Sequence, residues 1–450
     1  MASLTSTRRR FLKGAAASAA FVGAAPYIKT AHSAGTLSLG LWDHWVPGAN
    51  DVMERICVDW GNANNVEVNV DFITSIGNKL ILTAQAETRA ETGHDVYCVP
   101  LWLVSMFRNS LVSVDDVVAE IESRYGKLVP SAFFMAHIDG TWKGSPAPTG
   151  SLSYANVSRA DLFLEHAGID LKAMFPMGSE RDPALVDSWT YDAFLGAAEK
   201  LHAAGHPFGA AIAPTPDASA WLGTLFTAYG AKLVDEAGDI TVDSDETRQV
   251  LDYLSRLTQF MDRGIYAWDD AGNNRWLISG TGSSIFNPPS AWAVAKRDNP
   301  DVAQHVWHHD APRGPAGRFR AGTPFFWGAW EFSQNISAAK DLFLHVASPD
   351  VVSEMLRASQ GFDLPLVEAY YESNDIWSTA TPPDGVLHNY PIRGDEELTV
   401  AGYPAPPEIA SLIATQGVIP NLVARVTQAG DSFDDAIGWA ENELEGVMRS

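Results

Sequence analysis

The sequence predicts an α/β protein of two lobes, each a mixed, mainly parallel sheet flanked by helices, with the lobes joined by hinge crossings. Near the N-terminus, strands alternate with helices, which indicates parallel βαβ units. Between Asp139 and Asp170, the chain has a strand, a segment rich in proline and glycine, a second strand and a helix. This order is typical of a chain that leaves one lobe and starts another. The roughly 415 residues after position 34 are enough for two or three domains.

The predicted first lobe opens with a strand over residues 37–42, in which apolar and small residues alternate. A helix begins at Asp51 and carries apolar residues at helical spacing. A clean alternating strand covers residues 66–73, a long helix follows over 78–91, and a third strand covers 94–100. The C-terminal ends of these strands meet at one edge, where ligands of open parallel sheets bind.

That rule selects three loops, over residues 43–48, 74–78 and 101–102. Two tryptophans flank Asp43 and His44 in the first loop. Aromatic rings stack on the apolar faces of sugar rings, and Asp, Asn and His bind hydroxyl groups, so these residue types favour a polar ligand with an apolar face. The opposite interpretation, that tryptophans in strand interiors belong to the core, stays open for each of them.

The predicted second lobe starts at the strand of Tyr154 and Asn156. A helix follows Thr190, which is placed to cap it, and apolar residues form one stripe from Phe194 to Leu201. Further helices follow Trp221 and cover 246–263, and a short strand before residue 287 ends in a loop.

The chain then returns to the first lobe. A strand over residues 325–332 and a helix over 337–346 are predicted there, and two last helices over 406–428 and 433–448 return to the second lobe. Pro and Gly residues at 146–150 and 322–324 favour flexible crossings between the lobes.

The order of a proline-containing strand, the Tyr154–Asn156 strand, the helix ending at Gly168 and the Trp189–Leu201 helix resembles the middle of the extracellular solute-binding proteins of ABC importers, family 1, the sugar-binding type. The resemblance covers nearly the whole chain after residue 34 and is thinnest between 370 and 405. It implies the two-lobe periplasmic binding protein fold. The implied first lobe comprises 35–150 and 323–370, and the second comprises 151–322 and 371–450.

The resemblance also implies a function: capture of a small polar solute, expected to be a carbohydrate, by hinge closure, and delivery to the permease subunits of an ABC transporter. Two alternatives stay open. One is a receptor for another solute, such as a polyol, an amine or an aromatic acid. The other is a secreted carbohydrate-active enzyme, which needs two carboxylates about 5 to 10 Å apart. Asp43 is one candidate carboxylate, and no second one is identified.

Candidate ligand-binding residues come from the strand-end loops and from the segments that the resemblance places at the cleft. They are Trp42, Asp43, His44, Trp45, Ser75, Asn78, Trp102, Tyr154, Asn287, Ser290, Trp292, Trp327 and Trp330.

No catalytic residue, metal site or cofactor is predicted. The densest group of possible metal ligands is His305, His308, His309 and Asp310, but adjacent residues on a strand point apart, so we expect a surface strand end instead. The sequence has no Gly-x-Ser-x-Gly nucleophile motif, no dinucleotide fingerprint and no phosphate-binding loop.

Residues 1–34 have the parts of an export signal: a basic start, an apolar run and small residues that end at Ala34. The arginines before Phe11-Leu12-Lys13 resemble a twin-arginine signal, which implies export of the folded chain by the twin-arginine translocase to the periplasm. The segment has no cysteine for lipid attachment, which favours a soluble product.

The chain is strongly acidic, with a formal charge of −24 that becomes −29 when the five basic residues of the signal are removed. Such a charge repels phosphate backbones, so nucleic acid is not an expected partner. Cys57 and Cys98 are expected to be buried free thiols, although a disulfide between neighbouring layers stays possible in an oxidising compartment.

Overall fold

The computed structural model describes residues 35–176, 180–370 and 396–449. The predicted export signal, over 1–34, lies outside the described residues. Residues 371–395, at the start of the predicted second-lobe segment 371–450, also lie outside them. The structure confirms the α/β class, with a mixed sheet flanked by helices. The predicted lobe boundaries stay a prediction, and the strand pairs described below show where the sheet passes between the two parts.

The strands, in chain order, are β1 Gly35–Trp42, β2 Val66–Ile73, β3 Val96–Cys98, β4 His137–Ile138, β5 Thr141–Trp142, β6 Ser145–Arg159, β7 Ser284–Asn287, β8 Val306–His309, β9 Arg313–Gly314, β10 Gly317–Ala329 and β11 Glu397–Thr399.

The helices up to residue 257 are α1 Ala49–Asn64, α2 Lys79–Ala90, α3 Leu103–Met106, α4 Asp115–Tyr125, α5 Pro130–Ala136, α6 Ala160–Leu162, α7 Leu171–Met174, α8 Pro183–Ser188, α9 Tyr191–Ala203, α10 Pro216–Tyr229 and α11 Asp245–Leu257. Those that follow are α12 Gly272–Ile278, α13 Ser290–Asp298, α14 Pro300–Ala303, α15 Ile336–Val346, α16 Pro349–Ala358, α17 Pro407–Thr415, α18 Val418–Ala424 and α19 Phe433–Arg449. A π-helical turn extends α6 over Phe163–Ala167, and another follows α18 over Arg425–Ala429.

The first lobe is built on the parallel strands that the sequence predicts. β1 pairs in parallel with β2, from Gly35 opposite Val66 to Trp42 opposite Ile73, and it pairs in parallel with β3 on its other side. All three strands therefore end at the same edge of the sheet, as the βαβ pattern requires. β10 then pairs antiparallel with β3.

Two long strands connect the lobes. The sequence predicts a strand, a crossing and a second strand around Gly150, but β6 is one strand of 15 residues that continues through the crossing. β6 pairs antiparallel with β10, with Gly150 opposite Pro324 and Tyr154 opposite Ala321, and the register shifts on either side of the 323–324 position. These irregular pairs mark the place where the ribbon bends from one lobe to the other.

In the second lobe, the far half of β6 pairs antiparallel with β7 and β8, and β10 pairs in parallel with β11. The parallel pairs of the described residues therefore lie mainly in the first lobe. Thr190 caps α9 as predicted, since its hydroxyl accepts a hydrogen bond from the Ala193 amide at 3.2 Å.

Helix α17 contacts both lobes. It packs against α3 of the first lobe and α10 of the second, and Ser411 donates a hydrogen bond to the Trp102 carbonyl at 3.3 Å. The helix thus bridges the two lobes.

The strand end at His308, His309 and Asp310 is buried, so the prediction of a surface position is wrong. These three side chains are 0 to 3% exposed, whereas His305 is exposed. Arg181 pairs with Asp310 at 2.8 Å, and Arg320 pairs with Glu396 beside it. Buried charges need such partners, and the sequence alone does not reveal pairs that are about 75 to 130 residues apart.

Cys57 and Cys98 are buried free thiols, which confirms the expectation of unpaired cysteines. Within the described ranges, no single helix is long and apolar enough to cross a membrane. One bent pair, over 407–415 and 418–429, passes the same test of length and composition.

Candidate ligand-binding site

A cavity of about 220 Å³ lies between the two lobes, beside the crossing of β6 and β10. The first lobe contributes strand-end loops, and the second contributes the start of α10 and the turn before α12. The lining residues are Ser75, Asn78, Leu80, Ile81, Pro100, Leu101, Trp102, Leu103, Met135, Pro214, Thr215, Pro216, Ser219, Ala220, Asp270, Gly322, Thr323, Val400, Ala401, Ala414 and Thr415.

The first-lobe wall follows from the parallel sheet. Ser75 and Asn78 come after β2, and Trp102 comes after β3, so the C-terminal strand ends bring them together. Trp102 is 4% exposed and packs edge-to-face on Phe134, with ring centroids 5.6 Å apart. An indole held in this way offers a fixed apolar surface to the cavity.

The second-lobe wall follows from a helix start. Thr215 caps α10 by accepting a hydrogen bond from the Ala218 amide at 3.1 Å, and Pro216 occupies the first helical position. Asp217 therefore lies in the first turn, where the helix dipole favours a carboxylate. Asp270 comes from the turn before α12 and lines the cavity.

An acidic group stands behind this wall. The Asn273 amide donates to Asp217 at 2.8 Å and lies 3.4 Å from the Tyr154 hydroxyl, which also bonds Asp217. Burial raises the pKa of Asp217 well above its usual range, and the charge of Asp270 adds to this effect. Burial, with the charge of Asp269, raises the pKa of Asp270 to about 6.

Of the residues predicted from the sequence, Ser75, Asn78 and Trp102 line the cavity. Trp42 is buried behind Ser75, with its indole nitrogen 3.5 Å from the Ser75 hydroxyl. Tyr154 is also buried and reaches the cavity wall through Asp217.

His44 links the first loop to the crossing instead of lining the cavity. Its ring nitrogen Nε2 lies 3.1 Å from Asp363, and Asp363 accepts a hydrogen bond from the Gly150 amide at 2.9 Å. The ring also packs on Trp42, at 4.6 Å between centroids. The adjacent Asp43 is exposed and accepts a hydrogen bond from Asn50, and Trp45 is half-buried outside the lining.

Asn287, Ser290 and Trp292 also lie outside the lining. Asn287 and Ser290 are buried and bond each other at 3.1 Å, so they fix the turn between β7 and α13. Trp292 is 1% exposed, and its outer face is covered by the Lys296 ammonium at 4.9 Å.

Trp327 and Trp330 belong to the core of the first lobe. Both are at most 1% exposed, and the Trp330 indole donates to Glu87 at 3.1 Å. For Trp292, Trp327 and Trp330, the core interpretation of the sequence describes their surroundings better than the cleft interpretation does. Trp327 lies on β10 and Trp330 directly follows that strand, in a layered fold whose strands are covered by helices, and Trp292 lies on the buried side of helix α13.

The sequence model of a family described as bacterial extracellular solute-binding protein matches residues 56–383. The match covers well over half of the chain. The chain belongs to this family.

Solved structures of the same fold agree along nearly the whole length of this solute-binding protein. Maltose-bound MalE3 of T. maritima is 19% identical, with a TM-score of 0.71 and coverage of 92% of this chain and 100% of that one. A sugar transporter of Arthrobacter chlorophenolicus with bound laminaribiose is 14% identical, with a TM-score of 0.70 and coverage of 92% and 99%. A solute-binding protein of Agrobacterium radiobacter in complex with ribitol is 14% identical, with a TM-score of 0.68 and coverage of 92% and 98%. No curated protein sequence matches the chain.

Sequence reasoning missed the acidic wall of this solute-binding protein. Asp217 and Asp270 are 53 residues apart, and each looks like an ordinary helix-start or turn aspartate. The Thr-Pro-Asp run at 215–217 does signal a helix start, so the position of Asp217 could have been found, but its burial could not. The cavity residues of α17 and of the preceding loop were missed because the interlobe position of that helix has no sequence signature.

Proposed function

We propose that this chain is the solute receptor of an ABC importer and that it captures a carbohydrate or polyol in the cavity between its lobes. The observation that carries the proposal is the cavity itself, because its walls come from both lobes and from the strands that connect them. Trp102 supplies an apolar platform, and Ser75, Asn78, Thr323 and Asp270 supply polar groups, which is the combination that a sugar ring requires. The three sugar and polyol complexes of the same fold support this class of ligand.

The proposed mechanism is hinge closure. A solute that binds to one wall gains further contacts when the second wall approaches, so it shifts the balance between open and closed forms by its difference in affinity. A micromolar ligand provides only about 8 kcal/mol in total, so the crossings have to bend at small cost. The permease subunits would then recognise the closed form.

The proposed location is the periplasm, after export by the twin-arginine translocase. Family membership supports an extracellular position, and the arginine-rich start of the sequence supports this route. Folding before export suits a receptor whose buried charge network has to be assembled from distant segments.

The proposal is tested by thermal shift and calorimetry with mono- and disaccharides and polyols, since a ligand that binds only the folded state raises the melting temperature. We expect Trp102→Leu to weaken binding of the best ligand by about 1 to 3 kcal/mol, through loss of the ring surface. Trp45→Leu is the matched control, because Trp45 also lies in a first-lobe loop but does not line the cavity.

Equal losses in the two variants would contradict the proposed site. A panel in which no sugar or polyol binds would contradict the proposed ligand class.

The alternative of a carbohydrate-active enzyme gains no support from the cavity. Asp270 is the only carboxylate among the described lining residues, and Asp217 lies on the same second-lobe wall. No carboxylate of the first-lobe wall faces them in that lining. A glycosidase needs two carboxylates on opposite sides of the bond that breaks.

A further inference from the structure

Among the described residues that line the cavity, none carries a positive charge opposite the acidic wall. Asp270 is the only ionisable side chain among the described lining residues, and its Oδ1 atom is buried without a hydrogen-bond partner in the described structure. The neighbouring Asp269 is already paired with Arg275 at the surface. A carboxylate without a partner in a partly buried position is costly unless a ligand supplies what is missing.

The group behind Asp270 is also incomplete. Asn273 is 1% exposed, and its amide nitrogen is directed to Asp217, at 2.8 Å, and to Tyr154. Its Oδ1 atom has no partner within the described residues. The wall therefore presents the Asp270 carboxylate to the cavity, with the Asp217 carboxylate and the amide oxygen of Asn273 behind it, and none of the described lining residues is a donor that carries positive charge.

Without a ligand, Asp217 and Asp270 would share a proton. Because burial raises the pKa of both aspartates and the charge of Asp270 raises the pKa of Asp217 further, one proton stays with the pair at mildly acidic pH. A bound cation reverses this preference, since it stabilises both carboxylates in the ionised form.

We propose that the solute carries a protonated amine that binds at Asp270, with Asp217 and Asn273 behind it, so that the ligand is an amino sugar or an amino polyol. This inference rests on the proposed function, because it assumes that the interlobe cavity holds the solute. An ammonium group has three donors for the acceptors of the wall, and Trp102 and the apolar lining cover the carbon skeleton.

Other occupants fit less well. A neutral hydroxyl supplies a donor but no charge, and charge-assisted hydrogen bonds are roughly twice as strong as neutral ones. A calcium or zinc ion needs more ligands than the wall offers, and no group of three or more His, Cys, Asp or Glu side chains within the described ranges is placed to hold a metal.

The test uses matched ligands and the whole exported protein. Glucosamine, galactosamine and mannosamine are compared with their parent sugars and N-acetyl forms, and N-methylglucamine is compared with sorbitol, by calorimetry and thermal shift at about pH 7. We expect at least one amine to bind at least tenfold more tightly than its neutral partners. The affinity of that amine should fall by up to tenfold per pH unit as Asp270 takes up a proton below about pH 6.

Two variants locate the effect. Asp270→Asn should reduce the affinity for the amine to that of its neutral partner, and Asp217→Asn should reduce it in part. Asp269→Asn is the matched control at pH 7, because it removes a neighbouring charge that lies outside the lining and Asn still caps the turn. Since the charge of Asp269 raises the pKa of Asp270, the affinity of this control for the amine should start to fall only at a lower pH. Melting temperatures and circular dichroism of the free variants show that each one is folded.

The possible outcomes separate the amine inference from the proposed function. If neutral sugars bind as tightly as the amines, the amine inference is overturned and the proposed function stands. A panel without any amine binder also overturns the inference, and a panel without any binder at all contradicts both statements. Calcium or magnesium chloride that raises the melting temperature as much as the amine and competes with it would assign the wall to a metal ion instead.

Discussion

Buried histidines give this protein a residue-scale link between pH and stability. Burial lowers the pKa of His308 and of His309 to about 3, and His309 is fixed by Ser158 at 2.9 Å. An unfolded chain titrates its histidines near pH 6.5. Below that pH, the unfolded state binds protons that the folded state does not bind, so stability is lost as the pH falls from about 6.5 towards 3.

The loss should amount to about 2 kcal/mol per histidine at pH 5. In His308→Phe this loss at position 308 is absent. We therefore expect the free energy of unfolding of the variant, relative to that of the parent, to rise by about 2 kcal/mol when the pH is lowered from 7.5 to 5. The measurement is urea unfolding at both pH values.

The comparison uses only the difference in unfolding free energy between variant and parent, and how that difference changes with pH. Burial also raises the pKa of Asp310 to about 7, which increases stability as the pH falls, but this effect is common to both proteins. The control is His305→Phe, since His305 is exposed. Parallel curves for His308→Phe and its parent would show that His308 is not held neutral by burial.

Single residues also show where sequence reasoning is reliable. Ser75, Asn78 and Trp102 could be predicted because the position at a parallel strand end is fixed by topology. Trp330 could not be separated from them, since a tryptophan in a buried strand and one at a cleft look alike in sequence. Asp270 was missed because its importance depends on burial and on an Oδ1 atom that has no partner among the described residues, which are both properties of the folded chain.

At the scale of elements, the close contact of β6 and β10 depends on one glycine. Gly150 has a φ of 109°, and a Cβ atom there would lie 2.6 Å from the Phe325 amide nitrogen. Its carbonyl also accepts a hydrogen bond from the Leu364 amide at 2.8 Å, so the chain around Leu364 meets the two crossing strands at this residue.

We expect Gly150→Ala to destabilise the protein by about 3 kcal/mol or more, through backbone strain and a clash that neither strand can relieve. Gly168→Ala is the control, because Gly168 has a φ of 73° but nothing within 4 Å of the added Cβ atom. Gly168→Ala should lower the free energy of unfolding by only about 1 to 2 kcal/mol. Urea unfolding measures both, and equal costs would contradict the close approach.

Elements that depend on local signals were predicted well, and those that depend on distant partners were not. The α9 helix and its Thr190 cap follow from a few adjacent residues. The continuous β6 strand was divided in the sequence interpretation, because Pro and Gly usually interrupt a strand, whereas here they stand where the paired strands bend. The interlobe position of α17 depends on packing against both α3 and α10.

At the scale of the whole molecule, the proposed mechanism requires the lobes to approach each other when the solute binds. The native thiols allow a direct measurement, because Cys57 and Cys98 are at most 1% exposed and burial raises the pKa of the Cys98 thiol to about 12. Such thiols react slowly with maleimides. Cysteines introduced at exposed positions can therefore be labelled selectively with a fluorescent donor and acceptor.

We place one dye at Thr92→Cys in the first lobe and the other at Asp301→Cys in the second, since both residues are exposed and neither belongs to the lining. The best ligand of the carbohydrate panel should increase energy transfer between them, with a midpoint that matches its calorimetric affinity. A pair within the first lobe, Thr92→Cys with Glu54→Cys, should show no change. Binding without any change in the interlobe pair would mean that the solute enters a preformed cavity, and the permease would then have to recognise something other than closure.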